Sequence, residues 1–397
     1  MVEGRTTGSI KDDTGCWMIP ITRPVITEED AEVVKQTVLS GWVSQGPEVA
    51  KFEEEFASAV SAPFACATTS GTSALQVALM SIGLTEGDEV ITVSHSFIAA
   101  ANAVRLCGAT PVFVDIDDDT YNMDAALIEP AISKRTKAIL CVHQMGMPCD
   151  LPTIIELARK HEILVIEDAA CAVGSEISWH GTWERIGKPH GDIACFSFHP
   201  RKVITTGEGG MITTANADWH ERFKLLRHHG MSVNDLQRHN ADTPIFEEYL
   251  SVGSNYRMTD IQAALGRRQL SRLSDFVSRR RDLAARYEKL LAEIPQVGRP
   301  FEPEWARSNW QSYCVRLPDE VDQHTVMQRL LQAGISTRRG IMCTHRTEAY
   351  RDFLHPFDLS KSEDAQDHNI LLPLFPQMSE SDQRIIVSAI ATACKFS

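Results

Sequence analysis

One pattern restricts this chain more than any other: strand-like runs that alternate with helical ones. Between about residue 64 and residue 214 the runs "EVITV", "TPVFVDI", "KAILCVH", "EILVIED", "IACFSF" and "GGMITT" recur, with helically spaced stretches between them. Parallel strands need long crossovers, so strands that alternate with helices predict βα units and a largely parallel sheet with helices on its faces. Ligand-binding residues of such a sheet belong on the loops after the carboxyl ends of its strands. At 397 residues the chain exceeds an ordinary domain of about 100–200 residues, which points to one large domain with a smaller companion.

After Met258 the pattern changes. "TDIQAALGRRQLSRLSDFVSRRRDLAARYEKLLAEI" carries apolar residues three and four apart and meets no proline until Pro295, which predicts one long helix or two abutting ones. The rest, residues 296–397, mixes the strand-like "SYCVRL" with the helical "DQHTVMQRLLQAG", as a small α+β domain does. The expected organisation is a flexible tail over 1–16, a segment over 17–40 packed with the small domain, a large domain over 41–266 and a small one over 267–397.

Composition narrows the function. With 43% hydrophobic and 23% charged residues the chain is globular rather than disordered. Its net charge of -14 repels a phosphate backbone and argues against a nucleic-acid partner, so the arginines at 267, 268, 272, 279, 280 and 281 are read as a solvated helix face. The first twenty residues lack the apolar core of a signal peptide, and no run approaches the ~20 apolar residues that span a bilayer. Ten cysteines stand singly, without CxxC or His/Cys ligand spacing. The expectation is a cytoplasmic chain with reduced thiols, no metal and no membrane partner.

Three segments carry chemistry. "ATTSGTSALQVALMSIGL" reads as a loop feeding a helix that begins near Ser73, where Gly71, Thr72 and Ser73 offer N–H groups and hydroxyls either to a phosphate or to the helix's own cap. "EILVIEDAACAVG" sets Glu167 and Asp168 at the end of a strand too apolar to be exposed. An acid there needs a positive ring, side chain or metal, unless it is a structural salt bridge or cap. In "GDIACFSFHPRKVITTGEGG", Lys202 follows its strand by four residues, and Gly207, Gly209 and Gly210 turn the chain into the next one. That lysine is either a surface residue or an amine in a cleft, where withdrawal from water makes it a nucleophile. Together, a phosphate cradle, a buried acid and a cleft lysine after strands of one sheet are what pyridoxal phosphate (PLP) requires. Phe97, in "SHSFIAAANAV", supplies an aromatic face for its ring.

From "SGWVSQGPEVAKFEEEFA" to "LPLFPQMSESDQ" the chain resembles the nucleotide-sugar aminotransferases of the DegT/DnrJ/StrS family, PLP enzymes of fold type I. The resemblance implies an α/β large domain, with a mostly parallel seven-stranded sheet sandwiched by helices, and a smaller C-terminal α+β domain. It implies that Lys202 is the Schiff-base lysine, that Ser197 and the loop of Gly71, Thr72 and Ser73 hold the phosphate, that Asp168 partners the pyridine nitrogen and that Phe97 stacks on the ring. Asn255 of "GSNYRMTDIQAALG" would reach across a homodimer interface to the neighbour's phosphate, so that the two active sites are shared. Arg339, His345 and Glu208 are expected to contact substrate, and His199 is read as a packing residue.

Two departures stand out. Cys171 occupies the position where the family commonly has glutamine or histidine bonded to the cofactor's phenolic oxygen. "TRRGIMCTH" replaces a pattern like TRVHYPPLH, keeping the terminal His345 but changing residues 340–344. The implied reaction carries an amino group from an amino acid, glutamate, to a nucleotide-linked keto-sugar in two half-reactions. Alternatives are an aminotransferase for a free ketone such as a keto-cyclitol, a sugar dehydratase, whose family members have histidine where Lys202 stands, and a non-catalytic binding protein on the same fold. No GxGxxG follows any strand, which argues against a nicotinamide dehydrogenase.

Overall fold

The structure, a computed structural model, describes residues 10–11, 17–233, 238, 242–353 and 355–394. Most of the tail expected over 1–16 lies outside the described residues. The apolar runs become a seven-stranded sheet: β1 Phe64–Thr68, β2 Glu89–Val93, β3 Thr110–Val114, β4 Thr136–Val142, β5 Leu164–Asp168, β6 Ile193–Ser197 and β7 Gly210–Thr214. Their order across the sheet is β1-β7-β6-β5-β4-β2-β3. Every neighbouring pair is parallel except those of β7, which runs antiparallel to both β6 and β1. Residues of β2 and β7 are buried on both faces, as a sheet covered by helices requires. The carboxyl ends of β1, β2, β5 and β6 therefore share one edge.

The periodic segment after Met258 forms two abutting helices rather than one, α2 Asp260–Ser271 and α3 Leu273–Leu291, following α1 Gly71–Ser81 in the numbering used here. The arginines of α2, α3 and the junction between them correct the expectation of a solvated face. Arg272 lies 2.6 Å from the buried Asp30, and Arg267 from Glu48. The guanidinium of Arg280 is buried and donates to the carbonyls of Trp310, Gln311 and Leu374. Five fixed donors on a long apolar stem let arginine fasten elements together from inside, which a charge count along one helix does not reveal.

Two hydrophobic cores meet along α3. Leu273, Phe276 and Val277 pack with the large sheet, whereas Leu283, Tyr287 and Leu291 belong to a second core with Ile19, Tyr313, Ile370 and Ile390. That second core is built on an antiparallel sheet in which Asn369–Leu372 lies between Tyr313–Arg316 and Arg338–Arg339. The N-terminal segment bridges to it, with Ile19 accepting from Ser336 N–H (2.9 Å) and Ile21 from Leu374 N–H (3.2 Å). Among the described residues no helix is long and apolar enough to cross a membrane.

Candidate active site

The turn after β1 decides what α1 offers. Ser70 is the N-cap: its Oγ accepts Ser73 N–H (3.1 Å) and Ser73 Oγ accepts Ser70 N–H (2.9 Å), a closed capping box. The helix therefore starts at Gly71, two residues before the expected Ser73. The Ser73 hydroxyl also donates to Ser70 O at 2.8 Å, so both polar groups of Ser73 serve the cap. Gly71 and Thr72 carry the helix-start N–H groups that have no intrahelical acceptor.

A Cβ on Gly71 would stand 2.7 Å from Ser197 Cβ and 3.2 Å from Ser197 Oγ, so only glycine lets the start of α1 close on the end of β6. From the other side, a Cβ on Gly210 would lie 2.2 Å from Ser70 O. Absent side chains thus bring the start of α1 against the Ser197 hydroxyl at the end of β6.

Glu167 and Asp168 end β5 and face opposite sides of the sheet. Glu167 is satisfied. Its carboxylate accepts Gly191 N–H (3.0 Å) and lies 3.1 Å from His143 Nε2. His143 Nδ1 accepts Cys149 N–H at 2.9 Å, so the ring is the neutral Nε2–H tautomer and donates to Glu167. Asp168 is not satisfied. Among the described residues its buried side chain receives one hydrogen bond, from Ala170 N–H at 3.0 Å, and no ion pair. Burial pushes its carboxyl above the ordinary range, against the pull of that N–H and of the Lys202 charge.

Lys202 follows β6 in a turn closed by its N–H on His199 O at 2.8 Å. It is half-buried, and its Nζ lies 3.1 Å from the Sγ of Cys171, three residues beyond Asp168. Two residues that sequence reasoning missed brace this pair. Asn309 Nδ2 donates to the carbonyls of Cys171 and Val173 (both 2.8 Å), and Gln311 Nε2 donates to Arg201 O (2.8 Å). Nothing in "SNWQS" distinguishes them from ordinary turn residues.

Residues 24–391 match the profile of the DegT/DnrJ/EryC1/StrS aminotransferase family. The chain belongs to this family. It is 35% identical over 392 residues to the spore coat polysaccharide biosynthesis protein SpsC of Bacillus subtilis (strain 168), covering 95% of this chain and 97% of SpsC. Among solved structures it is similar to the PLP form of Spr1654 from Streptococcus pneumoniae, at 27% identity and a TM-score of 0.87 over 95% of this chain and 98% of that one. PseC of Helicobacter pylori, an aminotransferase involved in the biosynthesis of pseudoaminic acid, matches at 27% identity with a TM-score of 0.87, over 95% and 99% of the two chains. The protein is a PLP-dependent aminotransferase of fold type I, from a family of sugar aminotransferases.

The remaining expected site residues of this family member divide. Phe97 follows β2 with its side chain 69% exposed. Its loop is held by the C-terminal unit, with Ser96 N–H on Met342 O (3.1 Å) and Thr344 N–H on Ser94 O (2.9 Å). The residues that depart from the family pattern therefore back the Phe97 loop. His345 is buried, with Nδ1 2.6 Å from Ser94 Oγ and Nε2 2.9 Å from Glu363. Both ring nitrogens have partners, so His345 clips the loop after β2 to the C-terminal unit. Glu208 is exposed, and its charge acts on His199. The side chain of Arg339, on the edge strand of the small sheet, is exposed, as is Asn255, which bridges His228 through its backbone.

Proposed function

We propose that this aminotransferase binds PLP where β1, β5 and β6 end and moves an amino group from L-glutamate to a nucleotide-linked keto-sugar. One observation carries the reading: among the described residues Asp168 is a buried acid with a single backbone donor and no ion pair, which fits a protonated pyridine nitrogen. The N–H groups of Gly71 and Thr72 and the Ser197 hydroxyl fit the phosphate. Phe97 offers its ring face, and Lys202 Nζ fits the aldehyde. Once bound, PLP supplies an electron sink for the donor's α-carbon.

The chain's own groups divide the work. Asp168 keeps a proton on the ring nitrogen. Lys202 Nζ accepts the proton from the donor's α-carbon in the first half-reaction and returns one to the aminated sugar carbon in the second. Cys171 gives the released amine a weak partner inside the site, in place of the stronger amide or imidazole that the family commonly has there. A lysine rather than a histidine at position 202 favours transamination over sugar dehydration.

A homodimer with shared sites is part of the proposal. A few residues before the exposed Asn255, Phe246 and Val252 hold 92% and 89% of their surface in water, with Tyr249 and Leu250 exposed beside them. An apolar stretch of that kind supports burial against a second copy, which would carry Asn255 to the neighbour's phosphate cradle. Every described cysteine is free, which fits a reducing, cytoplasmic setting.

The test is to convert the PLP-loaded protein to its amine form with L-glutamate and to offer nucleotide-linked keto-sugars. Return of the aldehyde absorbance with one of them supports the reading. Return only with a free keto-cyclitol would move the acceptor to that class, where the altered loop of residues 340–344 behind Phe97 already departs from the family.

A further inference from the structure

Most arginines of this protein are fastened. They pair with acids, as Arg135 does with Glu89 and Arg159 with Asp192, or cap carbonyls, as Arg279 and Arg280 do. Arg201 and Arg338 have no hydrogen bond or ion pair from their side chains to any described residue, although the chain carries a net charge of -14 and acids abound. The two sit together at the site. Arg201 immediately precedes Lys202 and lines a small cavity with Thr22, Ser312 and Leu371, and Leu371 is the register partner of Arg338 in the small sheet. Burial, together with the charge of Arg338, lowers the Arg201 guanidinium below its usual range. The neighbouring His199 feels Lys202, Arg201 and Arg338 at once, with Glu208 acting against them, and no hydrogen bond or ion pair joins Glu208 to either arginine among the described residues.

We propose that Arg201 and Arg338 form a subsite for an anionic oxygen group of a substrate beside Lys202, either a carboxylate of the amino donor or a phosphate of the acceptor. The inference rests on the reading of Lys202 as the reacting amine. The half-buried Arg201 and the exposed Arg338 repel, and an anion that accepts from both forks turns that repulsion into charge-assisted hydrogen bonds. The fold supplies one arginine from the loop after β6 and the other from the small sheet. A bound anion therefore ties the two units together over Lys202 and orients the substrate carbon toward its Nζ.

The test uses the PLP-loaded full-length protein and calorimetric titration with two unreactive probes, glutarate for the carboxylate and pyrophosphate for the phosphate. In Arg201→Gln and Arg338→Gln one probe should bind at least about tenfold more weakly than in the parent, roughly 1.4 kcal/mol. Arg201→Lys, which keeps the charge but loses the fork, should fall between. Weakened glutarate assigns the donor, and weakened pyrophosphate the acceptor. Arg338 is exposed, so Arg338→Gln keeps the test valid if the change at Arg201 harms folding. If the parent takes up no PLP, the reading of Lys202 fails. If it takes up PLP but binds neither probe, or the variants bind both as tightly as the parent, the subsite is overturned.

Discussion

Replacing Asp168 by asparagine should separate the stability of the protein from its capacity to hold PLP. In the PLP-free protein the carboxyl is buried with one N–H donor at 3.0 Å, and burial raises its pKa. An acid whose pKa is higher in the folded than in the unfolded state favours folding when protonated. That contribution is present at low pH and is lost as pH rises through the folded-state value. Asparagine keeps the shape and the oxygen that accepts Ala170 N–H, without a charge to bury. Free of PLP, Asp168→Asn should therefore unfold at the parent's temperature or above it, with the advantage larger at about pH 8 than at about pH 5. With PLP the order reverses. Truncating one partner of a buried charge pair costs about 2–5 kcal/mol, and the lower figure already weakens PLP roughly thirty-fold. Thermal unfolding with and without PLP, together with titration of the visible band, reads both effects. If the PLP-free variant unfolds well below the parent at about pH 8, Asp168 is holding the fold; if PLP affinity stays within about threefold, the ring nitrogen is not its partner.

The cradle and the clip are open to the same kind of test. Gly71→Ala places a Cβ 2.7 Å from Ser197 Cβ, and should cost ~1–3 kcal/mol in denaturant unfolding and at least about tenfold in PLP affinity; unchanged affinity would remove Gly71 from the phosphate site. Ser73→Ala breaks the capping box and should lose about 1 kcal/mol of stability while PLP affinity holds; a large loss of affinity would restore the Ser73 hydroxyl to the phosphate. Ser94→Ala strips His345 Nδ1 of its 2.6 Å partner and should cost about 1–3 kcal/mol with KM for both substrates unchanged. A shift in KM without a loss of stability would instead give His345 a substrate role.

What could be read from the chain alone was local in origin. The apolar runs became strands because length and flanking residues mark a strand within a few positions, and the period of 260–291 marked its helices in the same way. Asp168 and Lys202 were legible because a strand end followed by a loop fixes where a residue stands relative to the sheet. The antiparallel return of β7 between β1 and β6 was not, because strand order and direction are set by pairings between residues far apart in the chain, such as Gly210 with Thr68. Arg272 looked solvated because its partner Asp30 stands 242 residues away, and His345 looked available because Ser94 stands 251 residues away. Arg201 and Arg338 were illegible for the opposite reason: an unpartnered arginine shows itself only when the partners of the others are known.

The measurement that bears most directly on the account is reduction of the PLP-loaded protein with borohydride, followed by digestion and mass spectrometry. A phosphopyridoxyl group is expected on the peptide containing Lys202, at about one per chain, with no other lysine labelled to a comparable extent. A yellow protein whose label falls on a different lysine, or that loses none of its label when Lys202 is replaced by alanine, would contradict it.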